Sequence, residues 1–232
     1  MPEKTGSKRS IHVAGVIDLA EAQLLIDCGI RYLGFPLVLD HHREDLTIDA
    51  AAAIISKLRD HASFFLITYL NRASAIVEFC HALSVDMVQL HGKTSLEQIQ
   101  LLRQEAPNLR IIKSLIVRGN NLGTLIDEVQ RYGPSAHSFI TDTFDPITRA
   151  SGATGRVHDW EISRRLVESS TRPVILAGGL NATNVRRAIL AVRPAGVDVH
   201  TGIEGQDGRK RRDLTMRFVE EAHAGFAEID SL

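Results

Sequence analysis

Four short apolar runs of this chain end in residues that can move protons near neutral pH. They are IHVAGV, VQLHG, FITDT and GVDVHTG, and they carry His12, Gln89 with His91, Asp142, and Asp198 with His200. Imidazole changes charge near pH 6.5, so a histidine can accept or give a proton under physiological conditions. A positioned carboxyl group can serve as its acid partner. Alternation along an extended segment puts His12 on the face of Ala14, Gln89 on that of His91, and Asp198 on that of His200. The segment Asp40-His41-His42-Arg43 adds further polar groups after another apolar run. One histidine at a strand end is ordinarily a hydrogen-bonded structural group, whereas several meeting on one rim mark a site.

Two glycine-bearing segments suggest what that site holds. LAGGL (Leu176 to Leu180) and VHTGIE (Val199 to Glu204) offer Gly178, Gly179, Thr201 and Gly202 between a strand and the element after it. Without a Cβ the backbone can approach an anion closely, and the N–H groups at the start of a helix favour negative charge. Together they predict a phosphate cradle, hence a small phosphorylated substrate.

The elements that must place these residues alternate along the chain. Strands are predicted at Ile11 to Val16, Tyr32 to Leu37, Phe64 to Tyr69, Asp86 to Leu90, Arg110 to Val117, Ser138 to Thr141, Pro173 to Leu176 and Gly196 to Val199. Helical period fills the intervals, and a last helix is predicted over Asp213 to Ala222. Strictly alternating units imply parallel strands with right-handed crossovers. Eight of them in about 220 residues predict one (β/α)8 TIM barrel of the α/β class, with its chemistry at the C-terminal strand ends. We expect residues 1–10 as a flexible lead and 11–232 as the barrel.

Composition excludes several classes. Of 232 residues 27 are Lys or Arg and 28 Asp or Glu, which leaves a net charge of −1 and no electrostatic case for nucleic acid. No apolar stretch approaches a membrane span, and no signal core follows the polar N-terminus. Cys28 and Cys80 read as small buried hydrophobes, which suits a reducing, cytoplasmic setting. The run Arg209-Lys210-Arg211-Arg212 reads as a solvated turn before a helix. No cofactor motif is present, and the oligomeric state is not legible.

VQLHG (Val88 to Gly92), SGATGRVHDW (Ser151 to Trp160), LAGGLNATNV (Leu176 to Val185) and GVDVHTGIE (Gly196 to Glu204) give the chain its resemblance to the phosphoribosylanthranilate isomerase family of tryptophan biosynthesis. The likeness runs from about Ile11 to Phe218. It implies the same barrel and an Amadori rearrangement, in which the ribose of a phosphoribosylated aromatic amine opens to a 1-deoxyribulose. It also implies Asp142 as the acid that protonates the furanose oxygen, and Arg43 near the carboxylate of the amine.

Two departures accompany the likeness. The family's base, a cysteine in a Lys-Ile-Cys-Gly segment, faces Ala14 of His12-Val13-Ala14-Gly15 here, and alanine carries no proton. The family's Ser-Ser-Gly is His200-Thr201-Gly202. In a closed barrel the eighth strand pairs with the first, so His200, or alternatively His12, is expected to supply the base. The site set is then Asp142, His200 and His12 for catalysis, with Arg43, Gln89, His91, Gly178, Gly179, Asp198, Thr201 and Gly202 for binding. Two alternatives stay open. One is another sugar-phosphate isomerase or epimerase, with His12, His91, Asp142 and His200 as conceivable metal ligands. The other is a phosphate-binding paralogue without turnover.

Overall fold

The computed structural model describes residues 9–39, 46–143 and 157–231. Strand and helix alternate in the order β1 (Ser10–Ala14), α1 (Leu19–Asp27), β2 (Tyr32–Pro36), α2 (Ile48–Leu58), β3 (Ser63–Thr68), α3 (Ala73–Leu83), β4 (Met87–Leu90) and α4 (Leu96–Glu105). The second half continues with β5 (Arg110–Val117), α5 (Leu122–Tyr132), β6 (Ser138–Thr143), α6 (Trp160–Ser169), β7 (Val174–Leu176), α7 (Val185–Val192), β8 (Gly196–Val199) and α8 (Arg212–Asp230). Each strand pairs in parallel with the next and β8 pairs with β1, which closes the barrel. The (β/α)8 architecture expected from the sequence is the one observed.

Local chemistry starts several helices. The side chains of Asp18, Thr47, Ser95 and Asp159 accept hydrogen bonds from the first-turn N–H groups of α1, α2, α4 and α6, satisfying donors that have no partner inside the helix. The last helix runs eight residues beyond its predicted end at Ala222, because Gly225 and Phe226 are buried in the contact with α7. A Cβ on Gly225 would lie 3.2 Å from Ile189, so the missing side chain lets the two helices approach. At the other terminus Arg9 donates to Asp230 at 2.8 Å and to the Pro194 carbonyl at 2.9 Å, tying the lead into β1 to the end of α8.

Two apolar layers follow from the parallel register. Outward-facing residues such as Val13, Leu33, Leu66, Val88 and Ile111 are fully buried against the helices. Each contributes about 1.5–3 kcal/mol of transfer free energy. Inward-facing Phe65, Ile67, Met87, Ile112, Ile140, Ile175 and Ala177 form a separate cluster. Register partners share a face, so Gln89 lies level with Ile67 and Ile112, His12 with Tyr32 and Asp198, and Asp142 with Ile116. The inside of the barrel is therefore an apolar plug with polar groups along one flank and at its upper rim.

His12 belongs to that plug. Its ring stacks on Tyr32 with centroids 4.6 Å apart, and Nε2 lies 3.0 Å from the hydroxyl of Ser10 below it. Burial, with a smaller contribution from the charge of Arg110, lowers its pKa to about 3. Between the ordinary value of 6.5 and about 3 the unfolded chain binds a proton here that the folded chain refuses, so this group's stabilisation is lost as pH falls through that window. We expect His12→Phe, which keeps the ring stack, to melt progressively higher relative to the wild type as pH is lowered from 7 to 4. Thermal unfolding at several pH values checks this, and parallel curves would refute it.

Candidate active site at the C-terminal rim

Asp142 sits near the end of β6 on the inner face. One carboxylate oxygen accepts the Thr143 N–H at 2.7 Å, and the other is 3.3 Å from Nε2 of His91. His91 follows β4 and is stacked on Tyr69 with centroids 4.9 Å apart. The stack and the carboxylate fix the imidazole plane between strands. Two residues earlier, the Gln89 side chain donates to Ser114 Oγ at 3.2 Å, one layer below the rim. Behind the same loop Lys113, on the outer face of β5, donates to the Gly92 carbonyl at 3.1 Å and to that of Ser114 at 3.3 Å. Its ammonium lies over the ring of Tyr132, and burial lowers its pKa to about 8. The lysine thus anchors the segment that carries His91.

Asp198 points inward from β8. Burial, then the negative charge of Asp142, pushes its carboxyl well above the ordinary carboxylate range, and Lys210 only partly opposes them. These surroundings favour the uncharged acid, a form that can donate a hydrogen bond. Its Oδ1 is buried without a protein partner.

The seam between β8 and β1 carries the third polar group. Val13 pairs with Val199, the last register pair of the seam, and His200 follows directly after β8. The His200 ring rests on Gly15, and its Nε2 is 3.5 Å from an oxygen of Glu204. The same Glu204 oxygen is 2.7 Å from Nζ of Lys210, whose side chain is 1% exposed. Lys210 corrects the reading of its basic run as a solvated turn. Its ammonium donates to the Gly15 carbonyl at 3.1 Å, and its N–H donates to Glu21 Oε1 at 2.8 Å. Arg209, beside it, stays exposed and pairs with Asp18 at 2.5 Å.

The two glycine segments meet as neighbours. Gly178 has φ +101°, a left-handed value that L side chains rarely adopt, and an added Cβ would lie 2.2 Å from Thr143 Oγ1. Among the described residues no protein acceptor takes the N–H of Gly178 or Gly179. Thr201–Ile203 form a single 3-10 turn, and Gly202 lies directly against the Leu180 carbonyl. Under Gly178, His158 links Thr143 Oγ1 (3.0 Å) to Ser163 Oγ (2.6 Å). Burial lowers the pKa of this histidine, with the charges of Asp142 and Asp159 opposing.

The structure thus brings His91 to Asp142, and the end of the Leu176 to Leu180 segment to the 3-10 turn of Thr201 and Gly202. It groups His200 with Glu204 and Lys210, and it places His12 and Gln89 below the rim. Arg43, with the Asp40-His41-His42 triplet, lies outside the described residues. Among the described residues no three His, Cys, Asp or Glu side chains are clustered to hold a metal ion. Glu204, Lys210, Lys113 and His158 are contributors the sequence did not single out. Glu204 and His158 fall inside segments noted for other residues, and no local pattern marks the two lysines as buried.

Gly202→Ala would drive a Cβ to 1.8 Å from the Leu180 carbonyl oxygen, a backbone atom that cannot swing aside. We expect a loss of about 1–3 kcal/mol in stability together with weakened binding of inorganic phosphate. Thermal unfolding and phosphate titration check this, and a variant indistinguishable from wild type in both would contradict the packing.

Comparison with known proteins agrees with the barrel fold. Residues 51–221 match the family model described as N-(5'-phosphoribosyl)anthranilate (PRA) isomerase. A curated relative, N-(5'-phosphoribosyl)anthranilate isomerase 2 of Methanosarcina mazei, is 35% identical over 224 residues, covering 96% of this chain and 97% of its own. Among solved structures, phosphoribosyl anthranilate isomerase from Thermotoga maritima superposes with a TM-score of 0.79 at 24% identity, over 93% of this chain and 99% of that one. Another isomerase of this kind, solved in complex with reduced 1-(o-carboxyphenylamino)-1-deoxyribulose 5-phosphate, gives a TM-score of 0.76 at 23% identity, with the same two coverages. On the family match and the full-length relative, this chain belongs to the PRA isomerase family.

Proposed function

We propose that this protein catalyses an Amadori-type aldose–ketose isomerisation of a phosphoribosyl amine, with Asp142 as general acid and His200 as general base. The observation that carries this reading is the seam between β8 and β1. There an imidazole lies over Gly15, the residue after Ala14, and Ala14 is where the family resemblance calls for a proton-accepting side chain.

In the proposed sequence Asp142, acting as general acid, delivers a proton to the furanose ring oxygen. The C1′–O bond breaks and the amine nitrogen forms a Schiff base with C1′. His200 then takes the proton from C2′, the electron pair moves toward the nitrogen, and the resulting enolamine tautomerises to the 1-deoxyribulose. His91, within hydrogen-bonding reach of Asp142, keeps the carboxyl aimed across the rim. The backbone of Gly178, Gly179, Thr201 and Gly202 holds the 5′-phosphate, and Arg43 takes the far end of the substrate. Gln89 and Asp198 line the floor, where a neutral Asp198 can donate to a sugar hydroxyl. The relative solved with a deoxyribulose phosphate analogue supports that substrate class. His12, buried and weakly basic, is better suited to packing than to proton abstraction.

A second reading has its own support in Ala14. Loss of the family's first-strand cysteine is compatible with a different sugar phosphate as substrate, or with ligand binding without turnover. A fluorescence assay with phosphoribosylanthranilate, backed by complementation of a strain lacking its isomerase, separates the readings. For the isomerase we expect His200→Ala to lower kcat by about 10²–10⁴-fold while phosphate binding stays near normal. A raised KM with unchanged kcat would remove His200 from the role of base. A folded wild-type protein that binds phosphate but turns nothing over would transfer the site to another sugar phosphate.

A further inference from the structure

The acid–base pair just described leaves unexplained why a lysine is buried beside it. Lys210 reaches inward from the segment preceding α8 and is bound on three sides. Its ammonium meets the Gly15 carbonyl and Glu204 Oε1, and its N–H meets Glu21 Oε1. The other oxygen of Glu21 accepts the N–H of Ile17. A short antiparallel bridge joins Glu204 to Lys210. The loop after β1 and the loop after β8 are therefore clamped together by one ammonium and two carboxylates, all at the seam where His200 sits. Gly15 completes the clamp from the other side. With no Cβ it leaves room for the imidazole, whereas an added Cβ would lie 2.1 Å from Nε2.

We infer that Glu204 and Lys210 are positioning residues for His200, with Glu204 fixing the imidazole over Gly15 and Lys210 holding that carboxylate in place. The inference rests on the assignment of His200 as base and adds how the base is tuned. A neutral imidazole that takes a proton becomes a cation 3.5 Å from a carboxylate oxygen, which stabilises the protonated form. Lys210 shares that oxygen and offsets part of the carboxylate's charge.

Among the described residues the other charged groups near this row are few. Asp198 lies two positions back on β8, in surroundings that favour its uncharged form. Asp142 lies across the barrel with His91. Glu21 faces backbone N–H groups from α1, and Arg209 is turned outward to Asp18. Removing the charge of Glu204 and removing that of Lys210 are accordingly expected to shift His200 in opposite directions.

The test is an NMR titration of the His200 imidazole in the intact protein, its signals assigned by their loss in His200→Gln. Glu204→Gln, which keeps shape and removes charge, is expected to lower the His200 midpoint by about 0.5–1 pH unit. Lys210→Met is expected to raise it, and Glu204→Asp to give a value between Gln and wild type. In active enzyme the rising limb of kcat/KM against pH should move with these midpoints. A His200 midpoint unmoved in folded Glu204→Gln would overturn the inference, as would shifts of the same sign in Glu204→Gln and Lys210→Met. If Lys210→Met does not fold, the two Glu204 variants decide alone. Failure of the base assignment has a different signature, namely full turnover by His200→Ala, and the titration is readable whether or not the protein turns over.

Discussion

Closure of the barrel is the constraint on which the rest of the structure depends. Eight parallel strands satisfy their backbone groups only when β8 finds β1, and that pairing is made across the longest sequence separation in the sheet. The register then leaves no freedom. With Val13 opposite Val199, Asp198 must share the inner face with His12, and His200 leaves the end of β8 with its ring over Gly15. A slip of one residue would turn His200 and Asp198 outward into the apolar layer beneath α7 and α8. The large area buried in that layer therefore fixes the position of two small polar groups at the rim.

Below the rim the interior manages polarity by separation. Phe65, Ile67, Met87, Ile112, Ile140 and Ile175 fill the centre, and polar side chains in contact with them are neutral or hydrogen-bonded. His12 stays uncharged against Tyr32 and Ser10, and Gln89 is satisfied by Ser114. Charge is admitted only at the top, where it is paired. Asp142 has His91, and Glu204 is shared by His200 and Lys210. An unpaired buried charge would cost several kcal/mol, so each rim charge is paired, Asp142 with a residue of another strand's loop and Glu204 within its own. Protons can then move at the rim without passing through the apolar plug.

The same logic explains the buried lysines. Lys113 on the outer face of β5 holds the loop that carries His91, and Lys210 holds the loops that flank His200. Both donate to backbone carbonyls, which do not change charge. They stiffen the strand-end loops from behind and leave the inward face to the reacting groups. His158 does comparable work beneath Gly178, joining Thr143 to Ser163.

Much of this was legible in the sequence. Alternating apolar runs gave the number and order of the strands and placed their ends to within two residues, because a strand buried on both faces must be apolar throughout. Gly178 and Gly202 announced close backbone approaches that a Cβ would obstruct. What the chain could not show locally was which polar groups are buried. Lys210 lies in a run of four basic residues whose period and composition are those of a solvated turn. It is inside because Gly15 and Glu21 from the first β/α unit, and Glu204 earlier in its own connection, converge on it. His12 within β1 and His200 just after β8 are the same residue type, yet one is packed against aromatic rings and the other faces a carboxylate. Hydrophobic period is a property of neighbours in sequence and determined the barrel. Burial, pairing and basicity depend on neighbours in space, and only the closed tertiary structure decided them.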